Sequence, residues 1–134
     1  VRIHQISLED KEAAMQKRIL VVDDDTMNLR RAERILKAEY EVILAGSGKE
    51  ALDQIKGKNI DLILLDIAMP EMDGIETFKR MKESSTDVPV IFLTASGDED
   101  DVRNAIKLGA VNYLKKPFPP QELLKRVALG LEKA

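Results

Sequence analysis

The stretch Ile19-Leu20-Val21-Val22-Asp23-Asp24-Asp25-Thr26 sets the reading of the whole chain. Four β-branched or aliphatic residues with no polar break suit a strand buried on both faces of a parallel sheet. The acidic run that follows ends the strand, and Asp25 or Thr26 can cap a helix whose apolar stripe is Leu29, Ala32, Ile35 and Leu36. Working outward, the same unit recurs. Further strand-like runs are Val42–Leu44, Leu62–Leu65, Val90–Leu93 and Val111–Leu114. Helical stripes separate and follow them: Ala51, Leu52, Ile55; Ile75, Phe78, Met81; Val102, Ala105, Ile106; and Leu123, Leu124, Val127, Ala128, Leu131. Pro120 marks the start of the last helix, while Gly57 and Gly109 fall where two others should stop. Strand–helix repeated five times predicts an α/β fold with right-handed crossovers.

Composition narrows the chemistry. The chain has 134 residues, enough for one domain, and no cysteine, which excludes disulfides, zinc ribbons, iron–sulfur clusters and thiol nucleophiles. Its 21 Lys+Arg against 24 Asp+Glu give a net charge of −3, not the footprint of a direct nucleic-acid binder. No apolar run reaches the roughly 20 residues of a membrane span, and residues 1–18 contain no signal-peptide core. These features read as a soluble, cytoplasmic domain. Residues 1–17 stand outside the strand–helix pattern. They read as a leader or linker in which Ser7 could start a short helix with Leu8, Ala14 and Met15 as its stripe. The domain itself spans 18–134.

In open parallel sheets, ligands bind beyond the carboxyl ends of the strands. Asp23, Asp24 and Asp25 follow the first strand, Asp66 the third, Thr94 the fourth and Lys116 the fifth. A helix cap explains one aspartate after strand one but not the arrival of Asp66 on the same rim. Converging carboxylates repel, and a hard divalent cation such as Mg²⁺ relieves that repulsion.

Taken together, Ile19-Leu20-Val21-Val22-Asp23-Asp24, Asp66-Ile67-Ala68-Met69-Pro70-Glu71-Met72-Asp73-Gly74, Leu93-Thr94-Ala95 and Lys116-Pro117-Phe118 resemble the receiver domain of bacterial two-component response regulators, of chemotaxis-regulator type. The resemblance covers about Lys17 to Ala134 and implies a flavodoxin-like, doubly wound five-stranded parallel sheet of order 2-1-3-4-5 with five helices. It implies a phosphorelay signalling domain, a phosphoprotein that promotes its own phosphorylation and dephosphorylation rather than an enzyme acting on a separate substrate.

By that resemblance Asp66 is the phosphoacceptor, forming an aspartyl phosphate. Asp24 and Asp66 ligate Mg²⁺ directly, Asp23 through water and Ala68 through its backbone carbonyl. Thr94 and Lys116 contact the phosphoryl oxygens, the Lys116-Pro117 bond is cis, and Tyr113 turns inward as the switch. Ala68 and Ser96 occupy positions that tune hydrolysis. The implied partners are a sensor histidine kinase or histidine phosphotransfer protein as donor and an effector of unknown identity, with no direct nucleic acid and no membrane. The responsive surface is helix four, strand five and helix five, roughly Asp98–Leu108 and Val111–Leu131, where a phosphorylation-dependent dimer could form.

Three signals compete. Gly46-Ser47-Gly48-Lys49-Glu50-Ala51 reads as G-x-G-x-x-A, with Asp66 20 residues beyond Gly46, as in a small dinucleotide-binding module. Against it, Asp23–Asp25 would repel a pyrophosphate, and similar stretches occur in receiver domains. A haloacid-dehalogenase-type phosphatase needs Thr or Val four residues after its first aspartate, where this chain has Met27 or Asn28. Asp98-Glu99-Asp100-Asp101 looks like a metal cluster but suits a solvated helix start. His4, the sole histidine, lies in the leader, so the phosphodonor histidine belongs to another protein.

Overall fold

The computed structural model describes residues 17–84, 86–95 and 99–132. Residues 1–16 of the leader, with His4, together with Ser96 and Asp98, lie outside them. Five strands, β1 (Arg18–Val22), β2 (Glu41–Ala45), β3 (Leu62–Asp66), β4 (Val90–Thr94) and β5 (Asn112–Lys115), alternate with five helices. These are α1 (Thr26–Leu36), α2 (Gly48–Gly57), α3 (Gly74–Glu83), α4 (Glu99–Lys107) and α5 (Pro120–Glu132). All strand pairs are parallel and the order is β2-β1-β3-β4-β5, as the resemblance to receiver domains implies.

Strand burial follows position in the sheet. Every residue of β3 and β4 is buried, and so are the last four of β1. Their two faces feed two separate cores. Ile19, Val21, Leu62, Leu64, Ile91 and Leu93 pack with α1 and α5 through Leu29, Leu36, Leu123 and Val127. Leu20, Val22, Ile63, Leu65 and Phe92 pack with α2, α3 and α4 through Ala51, Phe78, Met81 and Ala105. The apolar run of β2 predicts full burial, but β2 is an edge strand and its central residues are only half-buried. β5 is the other edge and begins one residue later than the sequence suggests.

Local chemistry sets the helix starts at the rim. Asp25 caps α1 by accepting from the Met27 amide at 2.9 Å. Ser47 and Asp73 do the same for α2 and α3, accepting from the Glu50 and Glu76 amides. Pro120 opens α5 as the sequence predicts, and Gly109 turns the chain after α4 at φ +104°. Gly57 differs: it closes α2 with no left-handed turn, and the chain leaves in extended conformation at Lys58. Because β1 is followed by β2 on one side and β3 lies on its other side, the chain reverses direction across the sheet between β1 and β3. The carboxyl ends of those two strands flank the crevice this reversal opens.

Candidate functional site

Asp66 is the last residue of β3, and Asp23 and Asp24 directly follow β1 in the adjacent position. One carboxylate oxygen from each lies within 4.8 Å of the others. Asp23 and Asp66 are buried, at 1% and 4% exposure, whereas Asp24 faces solvent. Lys116, one residue past β5, reaches across to this group. Its Nζ lies 2.6 Å from Asp23 Oδ2 and 3.2 Å from Asp66 Oδ1. The other Asp23 oxygen accepts from the Asp25 amide at 2.9 Å, so both of its oxygens are engaged. The Lys116-Pro117 bond is cis.

The electrostatics are unbalanced. Burial pushes the Asp66 carboxyl up from its ordinary 3.8 to about 6. The Asp23 charge adds to that rise, Lys116 opposes it by charge and hydrogen bond, and Asp24 adds a smaller push. Burial pulls the Lys116 ammonium down, but its bond to Asp23 and the charges of Asp66 and Asp23 outweigh this and hold it above its usual value. One cation thus faces three carboxylates. The oxygen-only donor set and excess negative charge suit a hard divalent cation, and the solvent-facing Asp24 leaves an approach.

A glycine lets α3 start close against the end of β3. Gly74, at the start of α3, sits against the backbone of the strand end. A Cβ there would collide with the Asp66 carbonyl oxygen, and the Gly74 amide donates to Ile67 O at 2.8 Å. Ala68 lies in the same loop, exposed, two residues after Asp66. Thr94 closes β4, buried at 5% exposure, and its carbonyl accepts the Lys116 amide at 2.7 Å. Tyr113 on β5 is 38% exposed, more than a half-buried strand aromatic. It shares the walls of an open cleft with Thr94, Glu99, Val102 and Arg103.

The fold separates the competing signals from this site. Ser47 caps α2, and the Glu50 carboxylate accepts from the Gly46 amide at 2.7 Å, filling with a negative charge the place a pyrophosphate would need. Gly48 is a packing residue, since a Cβ would collide with Thr77 Oγ1 on α3. With β1 lying between β2 and β3, Asp66 belongs to the carboxylate cluster and the dinucleotide reading is not favoured. Glu99 and Asp100 are solvated in the first turn of α4 and pair with Arg103. Sequence reading assigned no separate role to Gly74, Arg31 or Arg126. The Asp-Gly pair before α3 was a usable signal for Gly74, but nothing local distinguishes the two arginines.

The doubly wound parallel sheet, with an acidic crevice at the ends of β1 and β3 that could hold a cation, defines a flavodoxin-like class of domain. The chain belongs to the response regulator receiver domain family, whose profile matches residues 19–128. It is 42% identical over 115 residues to the transcriptional regulatory protein CrdR of Helicobacter pylori, covering 84% of this chain and 54% of that protein. It is 38% identical over 121 residues to the alkaline phosphatase synthesis transcriptional regulatory protein PhoP of Bacillus subtilis, covering 90% and 50%. This chain therefore spans about half the length of those relatives. The crystal structure of a CheY-like receiver domain protein from Methanospirillum hungatei superposes with a TM-score of 0.82 at 33% identity, covering 87% of this chain and 94% of that one. Receiver domains are signalling modules that bind Mg²⁺ at an acidic pocket, receive phosphate from histidine kinases and act on downstream effectors. Among the described residues, no helix is long and apolar enough to cross a membrane.

Proposed function

We propose that Asp66 accepts a phosphoryl group from a phosphohistidine on a sensor kinase or histidine phosphotransfer protein. An Asp66 carboxylate oxygen attacks phosphorus, a P–O bond forms, and the P–N bond to the imidazole breaks with the electron pair returning to the ring nitrogen. The observation that carries this reading is the Lys116 ammonium bridging Asp23 and Asp66 inside a three-carboxylate cluster.

Mg²⁺, when bound, supplies positive charge that offsets the carboxylates and the incoming phosphoryl oxygens. Asp24, Asp66 and the Ala68 carbonyl would hold it directly. Asp23, with both oxygens already engaged, fits a role through water. Lys116 would pair with one phosphoryl oxygen and Thr94 donate a hydrogen bond to another. Tyr113 would then turn from its exposed position into the adjoining cleft, altering the α4–β5–α5 surface presented to an effector or to a second copy. On this reading domain 18–134 promotes its own phosphorylation and dephosphorylation, in the cytoplasm typical of response regulators.

The test is incubation with acetyl phosphate and Mg²⁺, read by intact mass. One added phosphoryl group is expected on the wild-type chain and none on Asp66→Asn. Modification that survives Asp66→Asn, or no modification of the wild type, overturns the assignment.

A further inference from the structure

Resting on the reading of Asp66 as phosphoacceptor, we propose that Arg31 is a positioning residue for phosphoryl transfer. By gripping Phe118 it holds the β5–α5 loop so that the Lys116 ammonium stays on the Asp66 carboxylate.

Lys116 is placed by a weak support. It follows β5, a strand of four residues with a single neighbour, β4. The loop it opens, Lys116-Pro117-Phe118-Pro119, contains two prolines that have no amide to donate. Its upstream end is tied by the Lys116 amide to Thr94 O. Its downstream half is gripped from α1. Arg31 Nη2 donates to the Phe118 carbonyl at 2.7 Å, and the same guanidinium lies over the Phe118 ring, 5.0 Å from its centroid. A charge-assisted hydrogen bond and a cation–π contact from one planar group fix both the position and the tilt of the loop.

The choice of partner makes this more than a surface contact. Asp23, Arg31, Lys116 and Phe118 line one cavity of about 350 Å³. A carboxylate ordinarily attracts a guanidinium more strongly than a carbonyl does. Here the Asp23 carboxylate takes Lys116 at 2.6 Å, while Arg31 holds the loop that carries Lys116. The two cations divide the work: one contacts the reacting carboxylate and the other sets where the first can reach. The residues proposed to hold Mg²⁺ stand at the ends of β1 and β3 and not on this loop, so losing the grip leaves the metal ligands in place while it draws the Lys116 charge away from Asp66 and Asp23.

The experiment compares wild type, Arg31→Met and Arg31→Lys in the 134-residue chain, using acetyl phosphate, beryllofluoride and Mg²⁺ as probes. Circular dichroism verifies that each variant is folded. Arg31→Met is expected to slow phosphorylation and weaken beryllofluoride binding by about tenfold, since a displaced catalytic group costs that or more. Mg²⁺ affinity, measured by calorimetry, should not weaken, because the metal ligands stay in place and a shifted Lys116 competes less for the Asp66 and Asp23 carboxylates. Arg31→Lys keeps the charge without the planar fork and should recover only part of the loss. If Arg31→Met does not fold, Arg31→Lys carries the same comparison on its own. Equal weakening of Mg²⁺ and beryllofluoride would mean general loosening and overturns the proposal, as does full recovery by Arg31→Lys. An Arg31→Met variant phosphorylated at the wild-type rate also overturns it. A wild-type chain that is never phosphorylated overturns the phosphoacceptor reading, and this proposal falls with it.

Discussion

Asp66 sits where its own ionisation is opposed by burial and by Asp23 and Asp24, with Lys116 only partly compensating. Its folded pKa of about 6 lies above the ordinary 3.8. The folded state therefore binds the proton more tightly than the unfolded chain. The stability this contributes is complete below about pH 4 and is lost as pH rises through about 6. In metal-free buffer, Asp66→Asn should be more stable than wild type by about 2 kcal/mol at pH 7.5, with the gap closing toward pH 4. Urea unfolding at both pH values checks this, and a gap that widens on acidification would contradict it. Glu71 offers a separate case. It stands in the loop after β3 at φ +67°, a conformation that favours glycine. Glu71→Gly should stabilise the fold by about 1 kcal/mol, read as a raised denaturation midpoint at unchanged slope.

At the level of the elements, β5 is the vulnerable one, because an edge strand exposes unpaired backbone groups. Asn112 and Arg126 cover them at Tyr113. The Asn112 side-chain oxygen accepts from the Tyr113 amide at 2.9 Å, and Arg126 Nη1 donates to the Tyr113 carbonyl at 3.1 Å. Arg126 also bonds Asn112 Oδ1 and the Glu122 carboxylate, each at 2.7 Å, tying β5 to α5. Arg126→Ala should cost about 1 kcal/mol and speed amide hydrogen exchange across Asn112–Lys115, with β1 and β3 unaffected. Uniform exchange across all five strands would refute the local seal. The boundaries of β5 were also the least legible in the sequence. Its residues Asn112 and Lys115 carry no apolar signal, and the strand is defined by pairing with β4 instead. The central strands were legible because burial on both faces demands unbroken aliphatic runs, whereas β2 carries the same pattern while half-buried at the edge.

For the molecule as a whole, the acidic crevice links ligand binding to stability. A cation that binds only the folded state stabilises it by mass action, about 2.7 kcal/mol at 100 times its dissociation constant. Millimolar Mg²⁺ should raise the thermal midpoint of wild type, and chelation should reverse the rise. Asp24→Asn should lose most of the effect, while a substitution at exposed Glu50 should keep it. An equal rise in both variants would place the ion elsewhere. The alternation of strands and amphipathic helices was written in the residue order, because hydrophobic periodicity records which faces must leave water. The acidic residues at the ends of β1 and β3 and the lysine just past β5 were legible for the same reason: each stands within two residues of the end of an apolar run. Which of them meet was settled only by folding. The strand order places β3 beside β1, and the reach of Lys116 across the rim depends on a loop anchored by Arg31 from α1, 87 residues away along the chain from Phe118. Local pattern carries information about a residue's own solvation. Contacts between distant segments depend on how the faces pack, and no stretch of sequence encodes those without its partner.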